Sequence, residues 1–228
     1  MAVERENGRK IVIVGCGPGG VEYVTPAARK AVEGAEVVLG SRRLLDLFPD
    51  CTAEKITLPT AVEPALETIA KHYAPGKVAV LVSGDPGLFS LAKAVIRRFG
   101  SSACEVIPGI SVLQVAFARL GLDWSDARII SAHGRLPQAP PEELAAVDTI
   151  ALFAGTPHAA GWAGRLAVEL AVSHRVHVCE NLTLADERVR LVRPGELAAM
   201  ELASLSLIVF VRNDGSVDGQ QNSSSAGA

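Results

Sequence analysis

Aromatic residues are scarce: Phe, Tyr and Trp together make up 4% of the 228 positions. A platform that stacks the bases of single-stranded nucleic acid needs such rings, so the composition argues against that class of function. Charge of one sign is also lacking. The formal net charge is -3, and no basic field marks a nucleic-acid partner. Cysteine is sparse and scattered. Cys16, Cys51, Cys104 and Cys179 form no C-x-x-C pair, which argues against a structural zinc site. The opening M-A-V-E-R-E-N-G-R-K is charged and leads straight into a short apolar run. Neither a signal peptide nor a membrane anchor is expected there, and a reducing cytoplasmic setting is the expectation.

Aliphatic residues and alanine are abundant instead. Hydrophobic content is 49%, which suits the core of stacked α/β layers. The length allows one large or two small domains. Short apolar runs at 11–14, 36–39, 78–82 and 104–107 read as strands buried on both faces. Helical patterns at 26–33, 64–73 and 88–99 separate them. The second half repeats the alternation, with strands expected at 128–131, 149–153, 176–180, 189–192 and 205–211, and helices at 112–120, 141–146 and 157–172. The fold class is therefore α/β, with parallel or mixed sheets and crossover helices. A turn near 108–111 predicts one α/β domain over 1–108 and a second over 109–212, followed by a polar, low-complexity tail at 213–228 that reads as disordered.

Three glycine-proline loops follow strands in the first half. They are G-C-G-P-G-G at 15–20, S-G-D-P-G-L-F at 83–89 and P-G-I-S at 108–111. In an open α/β sheet, ligands collect outside the carboxyl ends of the strands. Glycine there allows close backbone approach, and proline stiffens the loop. Gly15, Gly17 and Gly20 also satisfy G-x-G-x-x-G, and Ser41-Arg42-Arg43 after the next strand could hold a 2′-phosphate. That NADP-binding reading needs a helix that begins inside the glycine loop. Thr25-Pro26 marks a later helix start, with Thr25 as cap and Pro26 in the first turn. His174 and His177 form H-x-x-H, but at a strand entrance this spacing turns them to opposite faces, so no metal site is expected. Cys16 reads as a small buried thiol.

Taken in order and spacing, G-C-G-P-G-G, S-G-D-P-G-L-F and V-I-P-G-I-S resemble the tetrapyrrole (corrin and porphyrin) methylase family over roughly residues 10–212. The stretches E-Y-V-T-P (22–26), G-S-R-R-L-L (40–45), S-A-H-G-R (131–135) and E-N-L-T (180–183) are similar to the branch that methylates C5 of a precorrin ring. That branch comprises the N-terminal half of precorrin-6Y C5,15-methyltransferases and the stand-alone cobalt-precorrin C5-methyltransferases. The chain is expected to be the stand-alone form or that half alone.

The resemblance implies two α/β domains with a cleft between them that holds folded S-adenosylmethionine, mainly through backbone groups. It implies cofactor contacts at Pro18, Gly84, Asp85, Leu88, Ser111, Val112 and Ala154. The loop at 152–156 lacks the methionine that some relatives carry beside the cofactor. Asp85 is expected either to orient its loop or a polar group of the cofactor, or simply to form a turn before Pro86. A corrin precursor carries carboxylate arms, which arginine reads through a planar fork. Arg43, His133, Gly134 and Arg135 are the expected substrate residues, and His133 is also the expected proton-handling residue. No protein nucleophile is required, because aligning donor and acceptor can contribute about 7–11 kcal/mol. A homodimer and a functional partnership with a C15-methylating decarboxylase are further implications. The alternatives are another position-specific methylase of the family, an NADP-binding oxidoreductase and a non-catalytic α/β binding module.

Overall fold

A computed structural model of the chain describes residues 10–73, 77–132 and 136–213. They fall into two compact units. The first takes in the chain up to Trp124 together with Cys179–Val189 and Leu205–Leu207. The second takes in the described residues of Ser125–Val178, Arg190–Ser204 and 208–213. The boundary expected at 108–109 falls inside the first unit, because the helix that follows the third glycine loop is grouped with the sheet before it.

Strands β1 (Ile11–Gly15), β2 (Val37–Gly40), β3 (Glu54–Thr57), β4 (Val78–Val82) and β5 (Cys104–Ile107) form the first sheet, in the order β3-β2-β4-β1-β5. Every pairing is parallel. Helices α1 (Pro26–Glu33), α2 (Arg42–Leu45), α3 (Val62–Tyr73), α4 (Ala92–Phe99) and α5 (Val112–Leu120) belong to the same stretch. The side-chain period of two sends alternate residues of each central strand to opposite faces. Ile11, Ile13, Val78, Val80 and Val82 pack with Leu66, Ile69 and Val95 of α3 and α4. Val14, Ala79 and Leu81 pack with Ala28 and Val32 of α1 and with Leu44 and Leu45 of α2. A sheet covered on both faces has to read as continuous apolar runs, which is why β1 and β4 stood out in the sequence.

The second sheet holds β6 (Arg128–Ser131), β7 (Thr149–Phe153), β8 (His174–Glu180), β9 (Arg188–Val192) and β10 (Ser206–Arg212), in the order β6-β7-β10-β8-β9. Helices α6 (Pro141–Ala145), α7 (Pro157–Glu169) and α8 (Pro194–Leu197) lie in this half of the chain. Leu144, Ala163, Leu166 and Leu197 from them share one buried cluster with Ile150, Leu152, Val176, Val178, Ile208 and Phe210.

Some expected boundaries shift. The helix expected from residue 88 begins at Ala92. Phe89 sits in the left-handed region at φ 48°, and the Ser90 hydroxyl donates to the Pro86 carbonyl at 2.7 Å while accepting from Ala92 N at 3.1 Å. That turn occupies the residues the helix was expected to use. Helix α7 stops at Glu169 rather than 172. Helix α3 starts two residues before Pro64, which a first turn tolerates because its N–H groups have no intrahelical acceptor. Asn213, the first residue of the expected tail, donates from its backbone to Ser173 O at 2.8 Å and from its amide to Val172 O at 3.1 Å. The rest of that tail lies outside the described residues.

Candidate functional site

Because the first sheet is all parallel, the carboxyl ends of its strands share one edge. The three glycine-proline loops leave that edge from the adjacent strands β4, β1 and β5. There main chain meets main chain. Gly17 N donates to Gly84 O at 3.3 Å, and Gly84 N donates to Gly17 O at 2.8 Å. Both glycines are left-handed, at φ 77° and 65°, a region that side chains other than glycine's enter at a cost. Gly15 lies against the third loop so closely that a Cβ on it would stand 2.6 Å from Gly109 N and 2.7 Å from Pro86 Cδ.

Asp85 completes the junction. Its Oδ1 accepts from Gly87 N at 2.8 Å within its own loop, and its Oδ2 accepts from Gly109 N at 3.1 Å in the next. Of the roles expected for this residue, loop ordering is the visible one: the carboxylate staples the second loop to the third. Ser111 then starts α5 with a capping box, accepting from Leu113 N at 3.2 Å while its own N–H donates to Gln114 Oε1 at 2.8 Å. The first loop runs on past Gly20 through a single 3-10 turn, Val21–Tyr23, and α1 begins only at Pro26 under the Thr25 cap. No α-helix therefore begins inside the glycine loop, and the NADP-binding reading loses its premise.

Arg43 reaches this edge from α2. Its Nη2 donates to Ser83 Oγ at 3.0 Å. Its Nη1 is buried without a hydrogen-bond partner, the one such side-chain atom among the described residues. A Cβ on Gly19 would lie 3.5 Å from that nitrogen. Burial lowers the guanidinium pKa from its ordinary value. Neighbouring Arg42 differs: it is exposed and pairs with Asp46 one turn on, at 3.3 Å. Cys16 is fully buried in the first loop, and desolvation pushes its thiol up to about 12 despite the Arg43 charge nearby. It is a packing thiol, not a thiolate nucleophile.

The expected cofactor residues divide between the units. Pro18 is buried in the first loop; Gly84, Asp85 and Leu88 are half-buried in the second; Ser111 is buried and Val112 half-buried where α5 starts. All six belong to the first unit. Ala154 belongs to the second, fully buried just after β7. Thr156, two residues on, caps α7 by accepting from Ala159 N at 3.3 Å. His133, Gly134 and Arg135 lie outside the described residues. His174 is buried with both ring nitrogens engaged, Nδ1 with Ser173 Oγ and Nε2 with Val147 O, each at 2.8 Å. Neither nitrogen is free to ligate a metal, and no group of three potential ligands occurs among the described residues.

Sequence reading missed Ser83, the partner of Arg43, and it missed Arg119 and Glu187. Arg119 Nε and Nη2 bond both Glu187 oxygens, at 2.6 and 3.3 Å. This pair lowers the Glu187 carboxyl from its ordinary value, first through the Arg119 hydrogen bond and then through the Thr183 N–H. No local pattern links residues so far apart in the chain.

The model of the tetrapyrrole (corrin/porphyrin) methylases matches residues 10–198. The chain is 33% identical over 180 residues to a cobalt-precorrin-7 C(5)-methyltransferase of Salmonella typhimurium, covering 78% of this chain and 88% of that one. It is 31% identical to a probable enzyme of the same name from Methanocaldococcus jannaschii, over 88% of this chain and 97% of that one. Among solved structures it is similar to a precorrin-6Y methylase of cobalamin biosynthesis from Archaeoglobus fulgidus, with a TM-score of 0.70 and 29% identity over 91% of this chain and 100% of that one. A uroporphyrin-III C-methyltransferase from Thermus thermophilus, solved with S-adenosylhomocysteine, shares the fold with a TM-score of 0.70 at 24% identity, over 90% of this chain and 97% of that one.

Proposed function

The chain belongs to the tetrapyrrole (corrin/porphyrin) methylases, and from that premise we propose that it transfers a methyl group from S-adenosylmethionine to C5 of a precorrin or cobalt-precorrin during corrin-ring synthesis. The observation that carries this reading is the junction of three loops at the carboxyl edge of β4, β1 and β5, the first two sealed backbone to backbone and the third stapled by Asp85, beside an unpartnered guanidinium nitrogen. A cradle of this kind fits a compact cofactor bound through close main-chain approach. Names among the relatives supply the acceptor position.

The cofactor supplies a methyl group already activated by its sulfonium. The protein's task is then alignment and exclusion of water, worth about 7–11 kcal/mol when geometry is held well. Pro18, Gly84, Asp85, Leu88, Ser111, Val112 and Ala154 are the residues that hold the cofactor in this reading. With the Ser111 N–H and one hydroxyl lone pair already used by the capping box, the hydroxyl proton and its second lone pair are what this side chain offers a ligand. Arg43 offers its free Nη1 to a carboxylate of the macrocycle, Arg135 reads a second carboxylate beside Gly134, and His133 handles the proton released from the acceptor carbon. The enzyme works as a cytoplasmic homodimer. Its functional partner is a C15-methylating decarboxylase, the activity joined to C5 methylation in the name of a Mycobacterium tuberculosis relative that is 34% identical over 122 residues, 31% of that protein's length. Among the described residues no helix is long and apolar enough to cross a membrane.

Titration calorimetry with S-adenosylhomocysteine and with NADPH tests the cofactor; binding of NADPH alone would end the proposal. Turnover of a late precorrin with the mass gain of one methyl group tests the activity. Arg43→Met should weaken corrinoid binding about tenfold to a hundredfold, since a charged hydrogen bond contributes about 1.5–3 kcal/mol, and should leave S-adenosylhomocysteine affinity in place. Unchanged corrinoid affinity removes Arg43 from the substrate site.

A further inference from the structure

Residues 180–187, E-N-L-T-L-A-D-E, leave β8 and rejoin the first unit, and no step above uses them. They fold into a turn closed by Leu184 N donating to Asn181 O at 2.9 Å, Glu187 N to Leu184 O at 3.0 Å and Asn181 Nδ2 to Asp186 Oδ2 at 2.7 Å. This turn sits on the first glycine loop. Gly20 N donates to Thr183 Oγ1 at 2.8 Å, and a Cβ on Gly19 would stand 2.9 Å from Leu184 Cδ2.

Thr183 is itself held in place. It occupies the left-handed region at φ 70°, where a β-branched residue is an outlier and pays in conformational energy. Its N–H donates to Glu187 Oε2 at 2.6 Å, and Glu187 is gripped by Arg119 in the last turn of α5. Arg119 Nη2 reaches on to the Tyr23 hydroxyl at 3.5 Å. The Tyr23 carbonyl in turn packs on Gly17, where a Cβ would come within 2.8 Å of it. A circuit thus runs from Gly17 through Tyr23, Arg119, Glu187 and Thr183 back to Gly20, bracing the loop on either side of Pro18 and Gly19.

We propose that Thr183 is a positioning residue for methyl transfer: its hydroxyl fixes the Gly20 amide, and with it the backbone around Pro18, in the conformation that receives the cofactor. This rests on the reading that the first glycine loop holds S-adenosylmethionine. A residue needed only to complete the turn would be better as glycine, which adopts φ 70° without strain; a residue needed for its hydroxyl would not.

The test compares Thr183→Val, Thr183→Gly and Thr183→Ser in the full chain. Gly20 amide hydrogen exchange is measured without ligand, and S-adenosylhomocysteine affinity by calorimetry. Valine and glycine should each speed Gly20 exchange about tenfold and weaken S-adenosylhomocysteine about five- to tenfold, the scale of one lost hydrogen bond. Serine should match the wild type in both. The glycine variant keeps the test decisive where valine fails to fold. Unchanged Gly20 exchange in the glycine variant overturns the proposal, as does faster exchange with unchanged affinity. A wild-type chain that protects Gly20 but binds no S-adenosylhomocysteine overturns the cofactor reading instead, and with it the catalytic purpose of the latch.

Discussion

After β1, β4 and β5 in the first unit, the loops are sealed by backbone against backbone, with one carboxylate as staple. After β7 in the second unit, the turn is closed by a side chain, the Thr156 hydroxyl on Ala159 N. The first arrangement leaves no space for a Cβ at Gly15 or Gly109. The second leaves side chains free to vary while the helix start is kept. A site that contacts its ligand through main chain needs the first kind of rigidity, because a backbone atom cannot be adjusted by choosing another rotamer. Gly109 at the edge of the first sheet and Gly161 in helix α7 of the second unit therefore differ in what an added side chain would meet, and three experiments can break or sharpen that contrast.

The largest effect is expected at Gly109. An added Cβ would stand 2.7 Å from Gly15 C, so Gly109→Ala should cost about 1–3 kcal/mol, the range for overpacked sites. The loss would appear as a lower urea midpoint with unchanged m-value, together with lost S-adenosylhomocysteine binding. Wild-type stability in this variant would mean that the loops yield easily and that the contrast is wrong.

A smaller effect is expected from pH. The Glu187 carboxyl titrates below the ordinary value of 4.5 because Arg119 and the Thr183 N–H stabilise its charged form. A carboxylate shifted down on folding stabilises the protein above its ordinary value, and that contribution is lost as pH falls through the lowered one. Glu187→Gln should therefore flatten the fall in stability below about pH 4.5, leaving less difference between wild type and variant in acid than at pH 7. Parallel stability-pH curves would show that the circuit through Arg119 adds nothing to the first unit.

The smallest effect, of opposite sign, is expected in the second unit. A Cβ on Gly161 in α7 would meet only the far end of Arg165, 3.9 Å away. Gly161→Ala should stabilise the protein by about 0.5–1 kcal/mol through lower backbone entropy in the unfolded chain and better helix propensity. Gly164, one turn on, faces Ala198 with a Cβ position 2.5 Å from its Cα, so alanine there should destabilise. Denaturant melts of the two variants check the signs.

Most strands and several helices were legible in the chain because parallel strands covered on both faces must be apolar throughout, and because Thr25-Pro26 is a strong helix start. Strand β3, E-K-I-T, was not, since an edge strand with exposed Glu54, Lys55 and Thr57 carries no apolar run. The four-residue helices α2 and α8 are too short for a periodic signal. The three glycine loops were legible as loops after strands, and their resemblance to the methylases pointed to a cofactor. Their mutual contacts were not.

Local sequence determined where the chain turns, which runs are buried, and that glycine and proline gather after three strands, because propensity and periodicity act over a few residues. The tertiary structure alone decided that those strands are neighbours, that Asp85 staples two loops, that Arg43 is left with a buried unpaired nitrogen, and that Thr183 reaches Gly20 across a separation of 163 residues. Sheet order and long-range hydrogen bonds depend on which surfaces meet in the folded chain, and no short window of sequence contains both partners.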